Sequence, residues 1–394
     1  MLSANSQRLV DELQGLTALD GRFVDIALVN MPHGKKRGNF SLVFRAFDKV
    51  EQKPVALKFF DLDPAKMDAF RLACFDREHQ LLTKLLGAAR CLQVLSPIST
   101  FEFDIGTNSA PYKVAAKYFI TEWYDADIDE FFLRQDPSRA ILKLRLFNEV
   151  VLAVEALHHR HICHRDIKVD NFRREHDSDI SGLVAIDLGT AAALDSTPYL
   201  PAYAGPVGLG SYSAPETFCG FAGRRDLAVL TDIYALGGML FELFAEDDFL
   251  SAYVDLNPDF PRHLGILQYQ LAGHINSPTL DAVWDNHAPK LLAGFSPLKF
   301  PPDASSVPLA ILDIVNDLVL QMTSLNFRSR TITLEGVRRR IWSAIRCLEN
   351  EAVAKLKAEQ AAVRRARKRE SARAKGAGLF TPTSKMIGGP DGRP

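Results

Sequence analysis

Five cysteines in 394 residues, Cys74, Cys91, Cys163, Cys219 and Cys347, are odd in number, scattered, and nowhere spaced as a C-x-x-C pair. That pattern argues against a disulfide framework or a zinc site and fits reduced thiols, so a cytoplasmic location is expected. Net charge is nearly absent, formally −1, which argues against a molecule that binds nucleic acid with its whole surface, although the sum conceals an uneven distribution. The N-terminus lacks a basic start followed by an apolar run, so no secretory signal is expected. Long apolar runs are missing as well. The most apolar window, residues 227–245, carries Asp232 and Glu242 and reads as core rather than as a membrane span. No repeat recurs at solenoid spacing. What the chain does have is 47% hydrophobic residues, enough at this length for a large core shared between two domains or lobes.

Residues 1–20 read as a short amphipathic lead-in helix, with Leu9, Val10, Leu13 and Leu16 at near-helical spacing. Residues 23–29, 40–47 and 54–60 are then predicted strands of an antiparallel meander, and the apolar runs 91–95 and 112–120 are expected to complete a five-stranded sheet. A helix is predicted over residues 68–86, where Glu78, Leu81, Leu82 and Leu85 share a face. A second, over 141–158, turns Leu144, Phe147, Val151, Val154 and Leu157 inward. A small hairpin from 172–174 and 183–186 follows. Residues 246–310 hold several Pro and Phe and Trp284 without clear periodicity, and read as an enlarged insert able to dock a partner. A last helix runs from 341 to 363, and residues 355–375 hold nine Lys or Arg against Glu359 and Glu370. This stretch is either a solvated basic helix or a contact for an acidic partner, nucleic acid or an anionic membrane.

The chemistry concentrates in one octet between the helix 141–158 and the hairpin, His164-Arg165-Asp166-Ile167-Lys168-Val169-Asp170-Asn171. Phosphoryl transfer needs such a set at fixed offsets: an Asp to accept a hydroxyl proton, a Lys to neutralise the transferred phosphate and an Asn to hold a metal ion. His158, His159, His161 and His164 crowd the same junction, but no acidic or cysteine ligand is seen to complete a metal set.

The octet resembles the catalytic loop H-R-D-L-x-x-x-N of the eukaryotic-type (Hanks-type) serine/threonine protein kinases. The resemblance covers about residues 22–345 and implies an α+β, bilobal fold. A small lobe, residues 21–121, would carry the five-stranded antiparallel sheet and one main helix; a larger, mainly helical lobe, residues 122–345, would include the insert at 246–310. The lead-in helix 1–20 and a basic helix with a disordered tail, 346–394, would flank them. ATP and Mg²⁺ are the implied cofactors, and Ser or Thr hydroxyls of proteins the implied acceptors, with Asp166 as base and Lys168 beside it.

Further motifs follow in the family's order. Lys58, in Val55-Ala56-Leu57-Lys58, matches the lysine that pairs with a helix glutamate, here Glu78, and holds the α- and β-phosphates. In the glycine loop Gly38 and Val43 match, while Lys36 and Ser41 replace glycines; Lys35, Lys36 and Arg37 would supply charge instead. By the same resemblance Glu122 and Tyr124 would fall on the hinge that binds adenine, with Thr121 lining the back of that pocket, and Asp127 would bind the ribose, cap a helix, or do both. Asp187-Leu188-Gly189 matches the D-F-G motif, with Asp187 and Asn171 as the implied magnesium ligands. The segment from Asp187 to Ala214-Pro215-Glu216 resembles an activation loop, with Ser196, Thr197, Tyr199 and Tyr203 as hydroxyls that Arg165 could grip once phosphorylated. Leu209 stands where Ser/Thr kinases usually carry a Thr. Asp232 is expected to hold the catalytic-loop backbone, and Arg330 to pair with Glu216. The eroded glycine loop and Leu209 motivate an alternative, a kinase-fold nucleotide-binding scaffold with weak or no transfer.

Overall fold

The computed structural model describes residues 2–29, 31, 41–66, 69–107, 110–133, 136–176, 180–195, 208, 210–302 and 306–377. The expectations for Lys35, Lys36, Arg37 and Gly38, for Ser196, Thr197, Tyr199 and Tyr203, and for Leu209 fall outside these residues.

Helix α1 (Ala4–Gly15) begins at Ser3, whose hydroxyl accepts a hydrogen bond from the Ser6 amide at 3.2 Å and satisfies one open donor of the first turn. Leu9, Val10 and Leu13 are buried, and the helix lies against strands β1 (Phe23–Leu28) and β4 (Ser99–Thr107). With β2 (Ser41–Asp48), β3 (Lys53–Phe60) and β5 (Ala110–Glu122) these form one antiparallel sheet in the order β1-β2-β3-β5-β4. The register sets Lys58 of β3 between Val43 of β2 and Phe119 of β5. Helix α2 (Ala69–Lys84) packs on the sheet through Phe75, whose ring centre lies 5.0 Å from that of Phe119 and 5.7 Å from that of Phe60.

The fourth strand departs from the expectation. Residues 91–95 make only single bridges, Cys91 to Ala185 and Val94 to Thr121, and the sheet is completed by β4 instead. In β4, Phe101, Phe103 and Ile105 alternate with Glu102 and Asp104, the pattern of a strand with one face buried. The 91–95 run is apolar because Cys91, Leu92 and Val94 are buried in the core, while its backbone runs beside the end of β5: Leu95 donates its amide to Ile120 O at 2.7 Å, and Gln93 O accepts from the Glu122 amide at 3.0 Å.

The remainder is helical, with short strands: α3 (Asp129–Leu133), α4 (Ala140–His159), β6 (Ile162–Cys163), β7 (Phe172–Arg173), β8 (Val184–Ala185), β9 (Ala192–Ala193), α5 (Arg225–Glu242), α6 (Phe249–Leu256), α7 (Phe260–Ala272), α8 (Leu280–Leu292), α9 (Leu312–Met322) and α10 (Leu334–Ala377). β7 pairs with β8 as the expected hairpin, and β6 with β9. The inward set of α4, Leu144, Phe147, Val151, Val154 and Leu157, is buried. α5 is core: Ile233, Leu236, Met239 and Leu240 are buried, and among the described residues no helix is long and apolar enough to cross a membrane. It approaches α9 so closely that a Cβ at Gly237 would lie 2.6 Å from Thr323 Cγ2 and 2.7 Å from Met322 Cβ, which only glycine allows.

The insert is also more ordered than its sequence suggested. α6, α7 and α8 occupy most of it, and Leu280, Trp284, Ala288 and Leu292 form a buried row at every fourth residue. Pro289 inside α8 and Pro261 at the start of α7 punctuate that rhythm. Arg330 closes this half: Nη1 and Nη2 donate to the two carboxylate oxygens of Glu216 at 2.7 and 2.6 Å, with neither side chain exposed.

Candidate active site

The octet is bolted to the core by one carboxylate. Asp232 of α5 is buried; its Oδ2 accepts from the His164 amide at 2.9 Å and its Oδ1 from the Arg165 amide at 2.8 Å. His158, at the end of α4, places Nε2 2.8 Å from the same Oδ2. Burial opposes the charge on Asp232, yet the contact with His158, the nearby His164 and the Arg165 amide hold its carboxyl below the ordinary range. These bonds fix Arg165 in the left-handed region, with φ of 64°, a conformation that persists only where the surroundings over-determine it. The His164 ring spans the loop: Nε2 lies 2.9 Å from Ile186 O, and Nδ1 accepts from the Asp166 amide at 3.3 Å. The first contact ties the octet to the strand that delivers Asp187.

Asp166 is gripped from two sides. Lys168 Nζ donates to its Oδ2 at 2.7 Å, and Asn171 Nδ2 donates to the same oxygen at 3.0 Å and to Asp166 O at 2.7 Å. With the amide nitrogen of Asn171 so engaged, its side-chain oxygen is the atom suited to a cation. Ile186 in turn donates its amide to Asn171 O at 2.9 Å, so Asn171 and Asp187 are set by the same hairpin.

A second cluster forms where the sheet meets that hairpin. Lys58 Nζ donates to Glu78 Oε1 at 2.7 Å and to Asp187 Oδ1 at 3.1 Å. Glu78 Oε1 also accepts from the Leu188 amide at 3.1 Å, and Leu188 is buried behind it. Burial alone would lower the Lys58 ammonium, but Asp187 and Glu78 outweigh it and hold it above its ordinary value. Burial likewise works against Asp187, and Lys58 prevails and keeps it ionised below the usual carboxylate range. Glu78, deepest of the three, is pushed up by burial and by the charge of Asp187 against the pull of Lys58. Asp187 itself is left-handed, with φ of 61°.

The structure thus brings Lys58, Glu78 and Asp187 into direct contact, brings Asp166, Lys168 and Asn171 into direct contact, and links the two groups through Ile186. Val43 stands beside Lys58 across the β2–β3 pairing. On the connection out of β5, Tyr124 donates its hydroxyl to Glu122 Oε2 at 3.2 Å, and burial followed by that carboxylate raises its pKa. Asp127 caps the turn into α3, accepting the Asp129 amide at 3.2 Å, while its carbonyl accepts from Arg174 Nη2 at 2.8 Å. Its side chain is exposed, so the capping role leaves the ribose role open.

Two features were not anticipated. Gly208 lies against the octet with φ of 84°, where a Cβ would meet Arg165 O at 2.7 Å and Asp166 Oδ1 at 2.8 Å; only a folded chain reveals such an approach. Cys163 and Asp232 do converge on His158, contrary to the expectation that no acidic or thiol ligand is at hand, their candidate ligand atoms lying within 4.8 Å of one another. The bonds from His158 and from the His164 and Arg165 amides to Asp232 account for this cluster as the loop's anchor. For a magnesium ion the fitting donors are the hard oxygens of Asp187 and Asn171, held by Lys58 and Asp166 respectively.

A family model described as the protein kinase domain matches residues 36–282. Among curated proteins, the "Probable serine/threonine-protein kinase 2" of Plasmodium falciparum is 30% identical over 128 residues, 32% of this chain and 23% of that protein. The serine/threonine-protein kinase PrkC of Bacillus subtilis is 28% identical over 207 residues, 52% of this chain and 28% of the relative. For the "Probable serine/threonine-protein kinase PknB" of Corynebacterium glutamicum the identity is 27% over 230 residues, 56% of this chain and 33% of the relative. The alignments span between 23% and 33% of these relatives' lengths.

Proposed function

The chain belongs to the eukaryotic-type protein kinase family, and from that premise we propose that it transfers the γ-phosphate of Mg-ATP to Ser or Thr hydroxyls of proteins. The observation that carries this reading is the double grip on Asp166 Oδ2 by Lys168 and Asn171, coupled through Ile186 to the Lys58–Glu78–Asp187 cluster. Lys58 would hold the α- and β-phosphates, kept cationic by its two carboxylates. The hinge residues Glu122 and Tyr124 would border the adenine and Asp127 the ribose, with Val43, and Gly38 beyond the described residues, above the nucleotide. Asp187 and Asn171 would hold Mg²⁺, which when bound neutralises the charge of the phosphates. In the step itself the acceptor hydroxyl forms a bond to the γ-phosphorus as the bond to the ADP oxygen breaks, and the hydroxyl proton passes to Asp166. Lys168, already at the carboxylate, would face the equatorial oxygens and stabilise their charge. Catalysis of this kind is mostly positioning.

All five cysteines are free, four of them buried, which supports action in the cytoplasm. The scaffold alternative keeps one motive inside the described residues, Ser41 at a position where the family has glycine; the intact ion pair and the grip on Asp166 favour transfer.

The test is labelling from γ-³²P-ATP of the chain itself and of a generic protein, comparing wild type with Asp166→Asn. Loss of the base should lower transfer about 10²–10⁴-fold. Equal labelling by both proteins would overturn the enzyme reading, and nucleotide binding without transfer by wild type would favour the scaffold.

A further inference from the structure

Helix α10 has two halves with different environments. Its first turns are part of the core: Val337, Ile341, Ala344, Ile345 and Leu348 are buried, and Arg145 of α4 pairs with Glu349 at 2.9 Å. From Asn350 to Lys368 every residue is exposed except Glu351 and Ala361, which are half-buried. The helix nevertheless continues to Ala377. Its composition explains how it persists without packing, since Ala, Glu, Gln, Lys and Arg dominate and lose little on entering a helix. Lys355 and Glu351 add an i,i+4 pair at 2.7 Å.

We propose that this outer half of α10 is an interaction surface for the phosphate backbone of a nucleic acid. Residues 355–375 carry nine Lys or Arg and only Glu359 and Glu370 against them, so the positive charge is concentrated here in a chain whose formal net charge is −1 and whose remaining residues are net acidic. The partner must therefore be a dense polyanion. The charge is also not confined to one face. Arg364, Arg365, Arg367 and Lys368 follow almost without a gap, and at about 100° per residue they spread, together with Lys355 and Lys357, over about 240° of the circumference. A flat anionic surface reaches one side of a helix, whereas a groove lined by phosphates encloses it. The apolar side is weak: beyond Leu348 its large residues are Val353, Leu356 and Val363, set among alanines and Glu359, and it has no aromatic residue, unlike a helix that lies in a membrane interface. Five of the nine basic residues are Arg, whose planar fork binds phosphate through two hydrogen bonds. The basic stretch is about 30 Å long at the rise of an α-helix, close to one turn of duplex, about 34 Å. A second copy of the same helix is disfavoured by the like charge.

The full chain should be titrated into a fluorescein-labelled 24-base-pair duplex of mixed sequence at 50 and 200 mM KCl, and in parallel sedimented with phosphatidylcholine–phosphatidylserine vesicles. Binding that falls about a hundredfold between the two salts corresponds to some four neutralised phosphates. Replacing Arg364, Arg365, Arg367 and Lys368 together by Ala, which keeps helix propensity, should weaken duplex binding at least about tenfold and flatten the salt slope by about 3–4, with unchanged thermal unfolding. A second variant, Leu356→Ser with Val363→Ser, should leave duplex binding as it was. Absence of duplex binding at 50 mM salt, equal binding by the quadruple variant, or vesicle binding that the Ser variant abolishes while the duplex is ignored, would each overturn the proposal.

Discussion

Arg330 and Glu216 meet fork to fork with both side chains at 0% exposure, and Arg330 spends its remaining donors on Ser324 O at 2.8 Å and Leu230 O at 2.9 Å. Such a pair is costly to desolvate and costlier to halve. Arg330→Met should destabilise the fold by about 3–5 kcal/mol, because Glu216 is left charged in the core, and adding Glu216→Leu should restore part of the loss. Urea unfolding of the two single variants and the double variant measures this, and strictly additive losses would show that the charges do not act as a pair. At this scale the sequence was readable wherever chemistry is local. Asp166, Lys168 and Asn171 share one octet, and Lys58 among apolar neighbours demands an anion, which Glu78 supplies. His158, Cys163 and Gly208 were not readable as neighbours of the loop, because their meaning arises from approaches between elements that carry no trace in spacing.

Between elements, the crossing of α4 and α5 hides a titratable contact. Lys143 is buried, donates to Leu243 O at 2.5 Å and lies 5.5 Å from the centre of the Phe244 ring. Burial, then repulsion from Arg139, lowers its ammonium to about 8, with Asp136 pulling the other way. The unfolded chain keeps that proton up to the ordinary lysine value of 10.5. Unfolding therefore takes up a proton between about 8 and 10.5, and stability should rise with pH through that window. Lys143→Met should remove this rise; unfolding midpoints in urea at pH 7.5, 9 and 10 that climb equally in the variant would refute the assignment. Element boundaries show where pattern reading fails. The apolar run 91–95 outcompeted the alternating β4 because hydrophobicity alone does not distinguish a strand from a buried connector, and Pro289 broke the visible rhythm of α8 although the residues at every fourth position remained apolar.

For the whole molecule, the proposed nucleotide site joins the sheet, α2, the octet and the β7–β8 hairpin, so a ligand there should stabilise all of them together. Mg-ATP at about 100 times its Kd should add about 2.7 kcal/mol to unfolding. EDTA should remove most of the resulting rise in Tm, and Asp187→Asn should abolish the EDTA-sensitive part. A shift in Asp187→Asn that responds to EDTA as in wild type would separate that residue from the metal. The bilobal outline was legible because a strand-rich stretch precedes a helical one, and because motifs far apart in the chain occur in a fixed order.

One side chain in the middle of α5 has a wider consequence. Since Asp232 clasps two successive amides of the octet as well as the end of α4, the reactive loop has no separate way to melt: loosening it means dissolving the centre of the larger half. A displacement of the parts next to the loop, the turn at Asp187 or the backbone at Gly208, would by contrast leave the His164 and Arg165 amides, and with them the proposed base Asp166, tied to α5.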